Sequence, residues 1–305
     1  MSNSGPSEST TANRASMASP VGRGDWKFAR LTEPAGVELV GADLSGAVDK
    51  GLRRAIADAL ERHHVLVVRD QKLSDEQLIR FAEMFGSVER HYVRNADGSE
   101  MSPVHEVSNL NEHGNPTVKP FQNSNFYWHS DKSYRAIPTF ITILNPIELP
   151  PDGGETQFAN LIAAYAGLPE ETKAEIASLK VLHSLEHMRT VLDERALTAE
   201  EKMASPPVEH PLVRRHPVTG QKSLYLGIYC SQVVGKPVEE GCALLDSLVA
   251  HASQPQFVYT HRWHPGDVIA WDNRWLMHRA LPNFEMEKYR RVMRRTVVKG
   301  TEVPA

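Results

Sequence analysis

The pair His129 and Asp131, held in Trp128-His129-Ser130-Asp131, constrains this chain more than any other feature. In extended backbone successive side chains alternate faces, so residues i and i+2 project together. One short segment then delivers an imidazole and a carboxylate to the same point, and Ser130 turns away. A His-x-Asp alone is short enough to arise by chance and is more often a surface turn than a ligand pair. Among the fourteen histidines, however, only His129 is followed two places later by an acidic residue. Any of the others is a candidate third ligand, and context selects His278. The stretch His264-Pro265-Gly266-Asp267-Val268-Ile269-Ala270-Trp271-Asp272-Asn273-Arg274 is a turn signal followed by a β-rich run that stops just before Met277-His278-Arg279. A strand is therefore expected to deliver His278.

Two histidines and one carboxylate on one face of an ion leave its remaining positions open, the arrangement that non-heme Fe(II) oxygenases use. Further along, residues 289–298 read as a strand because β-branched residues dominate the second half. Period two puts Arg291, Met293 and Arg295 on one face and Arg290, Val292 and Arg294 on the other, so two guanidiniums face a cavity and two face water. Four solvated arginines on an edge strand would be the reading without the metal motif.

The segments Trp128-His129-Ser130-Asp131, Gly153-Gly154-Glu155-Thr156, Trp271-Asp272-Asn273-Arg274 with His278, and Arg291-Val292-Met293-Arg294-Arg295 together resemble the taurine dioxygenase and 2,4-dichlorophenoxyacetate dioxygenase family of Fe(II)/2-oxoglutarate-dependent oxygenases. The similarity begins near Gly36-Val37-Glu38-Leu39 and runs to about Gly300. It implies a double-stranded β-helix, a cupin-like jelly roll of two facing sheets with flanking helices. It also implies Fe(II) held by His129, Asp131 and His278, with the distal carboxylate of 2-oxoglutarate against Arg291 and Thr156. A planar guanidinium and a hydroxyl suit that end of the diacid. Gly153 and Gly154 would turn the chain tightly before a strand carrying Thr156 inward, although Gly-Gly alone is an ordinary turn signal.

By family position, Arg295 would meet an anionic substrate group, with His91 and Asn125 nearby. The stretch from Pro206 to His216 is similar to the phenoxyacetate-degrading branch, where His216 matches a substrate-side histidine. Arg94 stands where the taurine branch has a tyrosine, a departure from that branch. The implied reaction consumes O2 and 2-oxoglutarate, yields succinate and CO2, and hydroxylates a small anionic organic substrate of aryloxyalkanoate or sulfonate type. Where the attacked carbon bears an ether oxygen or a sulfonate, the product collapses with bond cleavage. Asp131 retains the carboxylate that related halogenases lack, so hydroxylation is implied rather than halogenation.

Two readings from other classes remain open at this stage. A His2Asp site with an open position also suits zinc and water activation for hydrolysis, and a non-catalytic jelly roll could use the cavity to bind a small anion. A hydrolase has no need of the carboxylate anchor formed by Arg291 and Thr156.

Length and charge agree with one catalytic domain over residues 26–305, following a Ser-, Thr- and Asn-rich stretch, residues 1–25, expected to be a disordered tail. The net charge of −4 offers no footprint for nucleic acid, and no apolar run is long enough for a membrane span. Cys230 and Cys242 are too few for a disulfide framework and fit a reducing, cytoplasmic setting. A homo-oligomer is compatible with the sequence. Helices are expected at 50–63, after the capping box Ser74-Asp75-Glu76-Gln77, at 169–180 and at 238–251, with Val65 to Val68 as a buried strand. The rest reads as short strands, among them 139–144, 223–226 and 257–260.

Overall fold

The computed structural model describes residues 26–31, 34–90, 102–120 and 123–305. The expected tail, His91 and Arg94 lie outside these residues.

The strand Val65–Val68 explains the architecture, because all four of its residues are buried. It lies inside a sheet of seven strands, where Val268–Asp272 pairs with it on one side and Val37–Val40 runs parallel to it on the other. Thr139–Glu148, Val292–Lys299 and His105–Ser108 continue the sheet. Alternation sends Leu66, Val68, Ile141, Ile143, Val268 and Ala270 to one face. There they meet Leu52, Ile56 and Leu60 of the helix Lys50–His63, and Leu78 and Phe81 of the helix Asp75–Glu83. The opposite face sends Val65, Val67, Leu144, Ile269, Trp271 and Met293 against Phe158, Tyr259 and Leu276 of a smaller sheet. That sheet has Thr156–Asn160 in the middle, between Val258–His261 and Leu276–Ala280. Its outer face is covered by the helices Leu161–Ala166 and Val238–Ala252. Two sheets face one another, each backed by helices.

The helix Lys50–His63 runs over the expected residues, and the Ser74/Gln77 capping box closes both of its hydrogen bonds. The helix expected at 169–180 is shorter, Glu170–Ile176, because Lys180 already belongs to the strand Lys180–His183. Three helices, Leu161–Ala166, Leu185–Val191 and Ala199–Ala204, arise where strands were expected. At six or seven residues each, none is long enough to display a 3.6-residue period, and side-chain caps from Asn160, Ser184 and Thr198 start them.

The run expected to lead straight to His278 is instead two strands in two sheets. Val268–Asp272 ends in the large sheet, and Arg274 N–H donates to Asp272 Oδ1 at 2.9 Å, turning the chain into Leu276–Ala280 of the small one.

Candidate active site

His278 sits at the centre of Leu276–Ala280, opposite Phe158 on one edge, with Ala280 opposite Thr156. On the other edge it forms an isolated antiparallel bridge with His129. The His129 N–H donates to the His278 carbonyl at 3.1 Å, and the His278 N–H donates back at 2.8 Å. Residues opposed in this way present their side chains on one face. The two imidazole centroids are 4.2 Å apart. The His129 segment is extended only for this bridge, and the chain enters a turn at Asp131. Ser130 points away, as alternation requires, and donates to the Leu276 carbonyl at 2.7 Å. Gly227 backs the segment at a φ of +132°, where a Cβ would come within 3.0 Å of His129 Cα.

Asp131 Oδ1 lies 3.6 Å from His129 Nε2 and 3.9 Å from His278 Nε2. Among the described residues this trio is the one group of three such side chains whose ligand atoms all lie within 4.8 Å of one another. The fit to a metal is also electronic. His129 Nδ1 is 2.7 Å from the Tyr127 carbonyl, which can only accept, so Nδ1 carries the proton and the Nε2 lone pair is free for an ion. Burial, followed by the neighbouring His129, holds His278 well below the ordinary histidine range, in its neutral, ligating form. Burial also acts to raise Asp131, but Arg295, His278 and His129 outweigh it and hold the carboxyl well below the usual carboxylate range.

Asp131 is braced by residues that the sequence did not mark. Thr142 Oγ1 donates to its Oδ2 at 2.5 Å, and the Asp131 N–H donates to Asn273 Oδ1 at 3.2 Å. Asn273 also accepts from Trp271 Nε1 and donates to Thr142 Oγ1. One amide thus ties Asp131, Thr142 and Trp271 together. Asn273 belongs to the motif Trp271-Asp272-Asn273-Arg274, which was the available signal.

A cavity opens beside the trio, lined also by Asn125, Thr156, Trp271, Arg291 and Arg295. The arginine split holds for the inward face. Arg291 is buried, and its Nε and Nη2 donate to the Gly154 carbonyl at 2.8 Å and Thr156 Oγ1 at 3.1 Å. Neither acceptor is charged, and among the described residues no carboxylate pairs with this guanidinium. Burial lowers its pKa to about 10. Gly153 and Gly154 are more than a turn: both have positive φ, and a Cβ on Gly154 would press on Arg291 Cδ at 3.2 Å. On the outer face, Arg290 meets Glu148 at 2.8 Å near solvent. Arg294 departs from the expectation of a solvated residue, because it bonds Asn145, Asp75 and the Leu73 carbonyl.

Arg295 faces the cavity and pairs with Asp131 Oδ1 at 2.6 Å. Asn125 reaches the wall from the short turn Asn123–Phe126. His216 requires a correction. It is fully buried away from the cavity, stacked on Trp275 at 4.4 Å and 3.3 Å from Glu61, because the pair Val213–Arg215 and Lys222–Leu224 carries it to the helical side.

Comparison with known proteins agrees with this geometry. The profile described as "Taurine catabolism dioxygenase TauD, TfdA family" matches residues 27–297. An alpha-ketoglutarate-dependent 2,4-dichlorophenoxyacetate dioxygenase of Burkholderia sp. (strain RASC) is 35% identical over 245 residues, 78% of this chain and 82% of the relative. An (S)-phenoxypropionate/alpha-ketoglutarate-dioxygenase of Sphingobium herbicidovorans is 33% identical, covering 84% of this chain and 89% of the relative. The crystal structure of AAD-2 in complex with Mn(II) and N-oxalylglycine superposes with a TM-score of 0.79 at 37% identity, covering 92% of this chain and 99% of that one. The chain belongs to the TauD/TfdA family. It has the jelly-roll fold and is an Fe(II)- and 2-oxoglutarate-dependent dioxygenase, so the hydrolase and binding-only readings fall away. Among the described residues no helix is long and apolar enough to cross a membrane.

Proposed function

We propose that His129, Asp131 and His278 hold Fe(II), that Arg291 and Thr156 hold the distal carboxylate of 2-oxoglutarate, and that the enzyme hydroxylates a small anionic organic compound. The observation that carries this reading is the buried Arg291, whose side-chain hydrogen bonds go only to neutral protein oxygens on the wall it shares with the metal-ligand trio, with Glu155 acting on it without forming an ion pair among the described residues. A buried charge without a partner costs several kcal/mol, so a site of this kind is completed by an incoming anion. When bound, Fe(II) and 2-oxoglutarate supply O2 activation, coupling release of succinate and CO2 to insertion of oxygen into a C–H bond.

The chain's own residues orient that chemistry. Tyr127 sets the His129 tautomer, and Thr142 and Asn273 fix the Asp131 carboxylate. Trp271 and Leu144 form apolar cavity wall that limits water around the reacting groups. Arg295 and Asn125 are the proposed substrate contacts, with His91 from the segment outside the described residues. Aryloxyalkanoates come ahead of sulfonates because two relatives are named for phenoxy acids. Hydroxylation beside an ether oxygen would give a hemiacetal, which breaks with cleavage of the ether. A cytoplasmic location completes the reading, supported by Cys230 and Cys242, which are both free.

The test is an anaerobic titration of Fe(II) and 2-oxoglutarate, with His129→Ala as control. The expected visible charge-transfer band of the chelate disappears in the variant, and aryloxyalkanoates then stimulate succinate release. A band that persists in His129→Ala would refute the ligand set.

A further inference from the structure

Thr156 Oγ1 accepts two hydrogen bonds, from Arg291 Nη2 at 3.1 Å and from Trp263 Nε1 at 3.0 Å. A hydroxyl oxygen has two lone pairs and one proton, whereas guanidinium and indole N–H groups only donate. Both lone pairs are therefore used, and the hydroxyl proton must leave along the one remaining direction. Among the described residues no protein group accepts it. Thr156 lines the cavity that holds the metal-ligand trio. Trp263 itself is buried and held edge-on to His261 at 4.8 Å. His261 is fixed in turn by Asp267 at 2.9 Å and the Tyr259 hydroxyl at 3.0 Å.

We propose that Trp263 is a positioning residue for the co-substrate: by filling the second lone pair of Thr156, it makes that hydroxyl an obligate donor to the distal carboxylate of 2-oxoglutarate. The inference rests on the reading of Thr156 and Arg291 given above and deepens it. Trp263 acts through Thr156, with the indole N–H polarising the hydroxyl that donates onward. Such chains strengthen each bond by roughly 10–30%. With Trp263 removed, the hydroxyl regains a free lone pair and a choice of rotamer.

The experiment measures dissociation constants anaerobically, by calorimetry on the Fe(II)-loaded full chain, for 2-oxoglutarate and for 2-oxovalerate. The second compound has the same five-carbon chain and 2-oxo acid end but no distal carboxylate. Thr156→Val is expected to weaken 2-oxoglutarate about tenfold, equivalent to ~1.4 kcal/mol. Trp263→Phe is expected to weaken it about threefold, consistent with loss of a supporting donor. Neither variant should alter 2-oxovalerate, and Trp263→Phe should add nothing in a Thr156→Val background. Equal weakening of both ligands by Trp263→Phe would mean a merely structural tryptophan and overturn the proposal. A full additional loss in the Thr156→Val background would overturn it too, since Trp263 would then act by another route. An unselective Thr156→Val would instead refute the co-substrate anchor itself, and the inference with it. Should Trp263→Phe fail to fold, Trp263→Met fills the same space without an N–H and supplies the comparison.

Discussion

Arg274 and Arg291 are both sequestered guanidiniums at the ends of strands, yet they are completed in opposite ways. Arg274 is paired by Asp272 through Nε and Nη2 and by Glu61 at 2.9 Å, with its guanidinium over the Phe140 ring at 4.3 Å. Burial acts to lower its pKa, but the two carboxylates outweigh burial and raise it. Arg291 hydrogen-bonds only a carbonyl and a hydroxyl, and burial, outweighing the nearby Glu155, lowers its pKa to about 10. The protein finishes the first site with its own anions, and in the function proposed above the second is finished by a ligand. Between these two arginines, completeness of the counter-charge marks the difference more sharply than burial does.

The largest effect expected from this contrast is on folding. Arg274→Met strands Asp272, which is 1% exposed, and Glu61 without their cation. Breaking such a pair from one side costs about 4 kcal/mol, read as a lower denaturation midpoint. Arg291→Met strands no carboxylate, so stability should stay within about 1 kcal/mol of the parent or rise. Its loss should fall on 2-oxoglutarate, with Kd about a hundredfold higher, or ~2.7 kcal/mol. Equal destabilisation by the two variants would break the distinction.

The same contrast explains what the sequence disclosed. Alternation correctly predicted that Arg291 and Arg295 share a face, a local consequence of extended backbone, whereas His129 and Asp131 meet although the chain turns at Asp131. The helix Lys50–His63 was legible for the parallel reason, since Leu52, Ile56 and Leu60 repeat at helical spacing over fourteen residues. Asn273, Thr142 and Trp263 were not: Asn273 and Trp263 matter through partners more than one hundred positions away, Asp131 and Thr156. Thr142 is the exception in distance, at 11 residues from Asp131, yet they meet only because Thr142 lies on a sheet strand and Asp131 on a turn. His216 misled for a different reason. Its sequence neighbourhood resembles a substrate segment, but a two-stranded hairpin and the Trp275 ring carry it to the opposite side.

A pH measurement sharpens the structural corner. The Asp272 N–H donates to the His64 carbonyl at 2.9 Å, and burial lowers the His64 imidazole to about 4. An unfolded histidine titrates near ~6.5, so the unfolded chain takes up this proton first as pH falls. Stability from neutral His64 is thus complete above that value and is lost between it and about 4, reaching a loss of about 2 kcal/mol at pH 5. His64→Asn tolerates the left-handed φ of 63° and removes the titrating ring. Its unfolding free energy should therefore fall less steeply with acid, by that same share. An unchanged slope would show that His64 is open to protons in the folded state.

The smallest effect is expected where the two corners meet. Asn273 follows Asp272 and precedes Arg274, but its side chain faces the other way, toward Asp131, Thr142 and Trp271. Asn273→Ala removes the acceptor of the Asp131 N–H and the donor to Thr142, leaving both first-ligand carboxylate oxygens in place but less firmly aimed. Loss of an outer partner typically weakens metal binding 10–100-fold, and because Thr142 still donates to Asp131 the lower limit applies. Fe(II) affinity should drop about tenfold, ~1.4 kcal/mol, with 2-oxoglutarate affinity following only through the metal. If thermal stability falls and Fe(II) affinity does not, Asn273 belongs energetically to the Arg274 corner. The metal site would then owe the orientation of Asp131 to Thr142 and Arg295 alone.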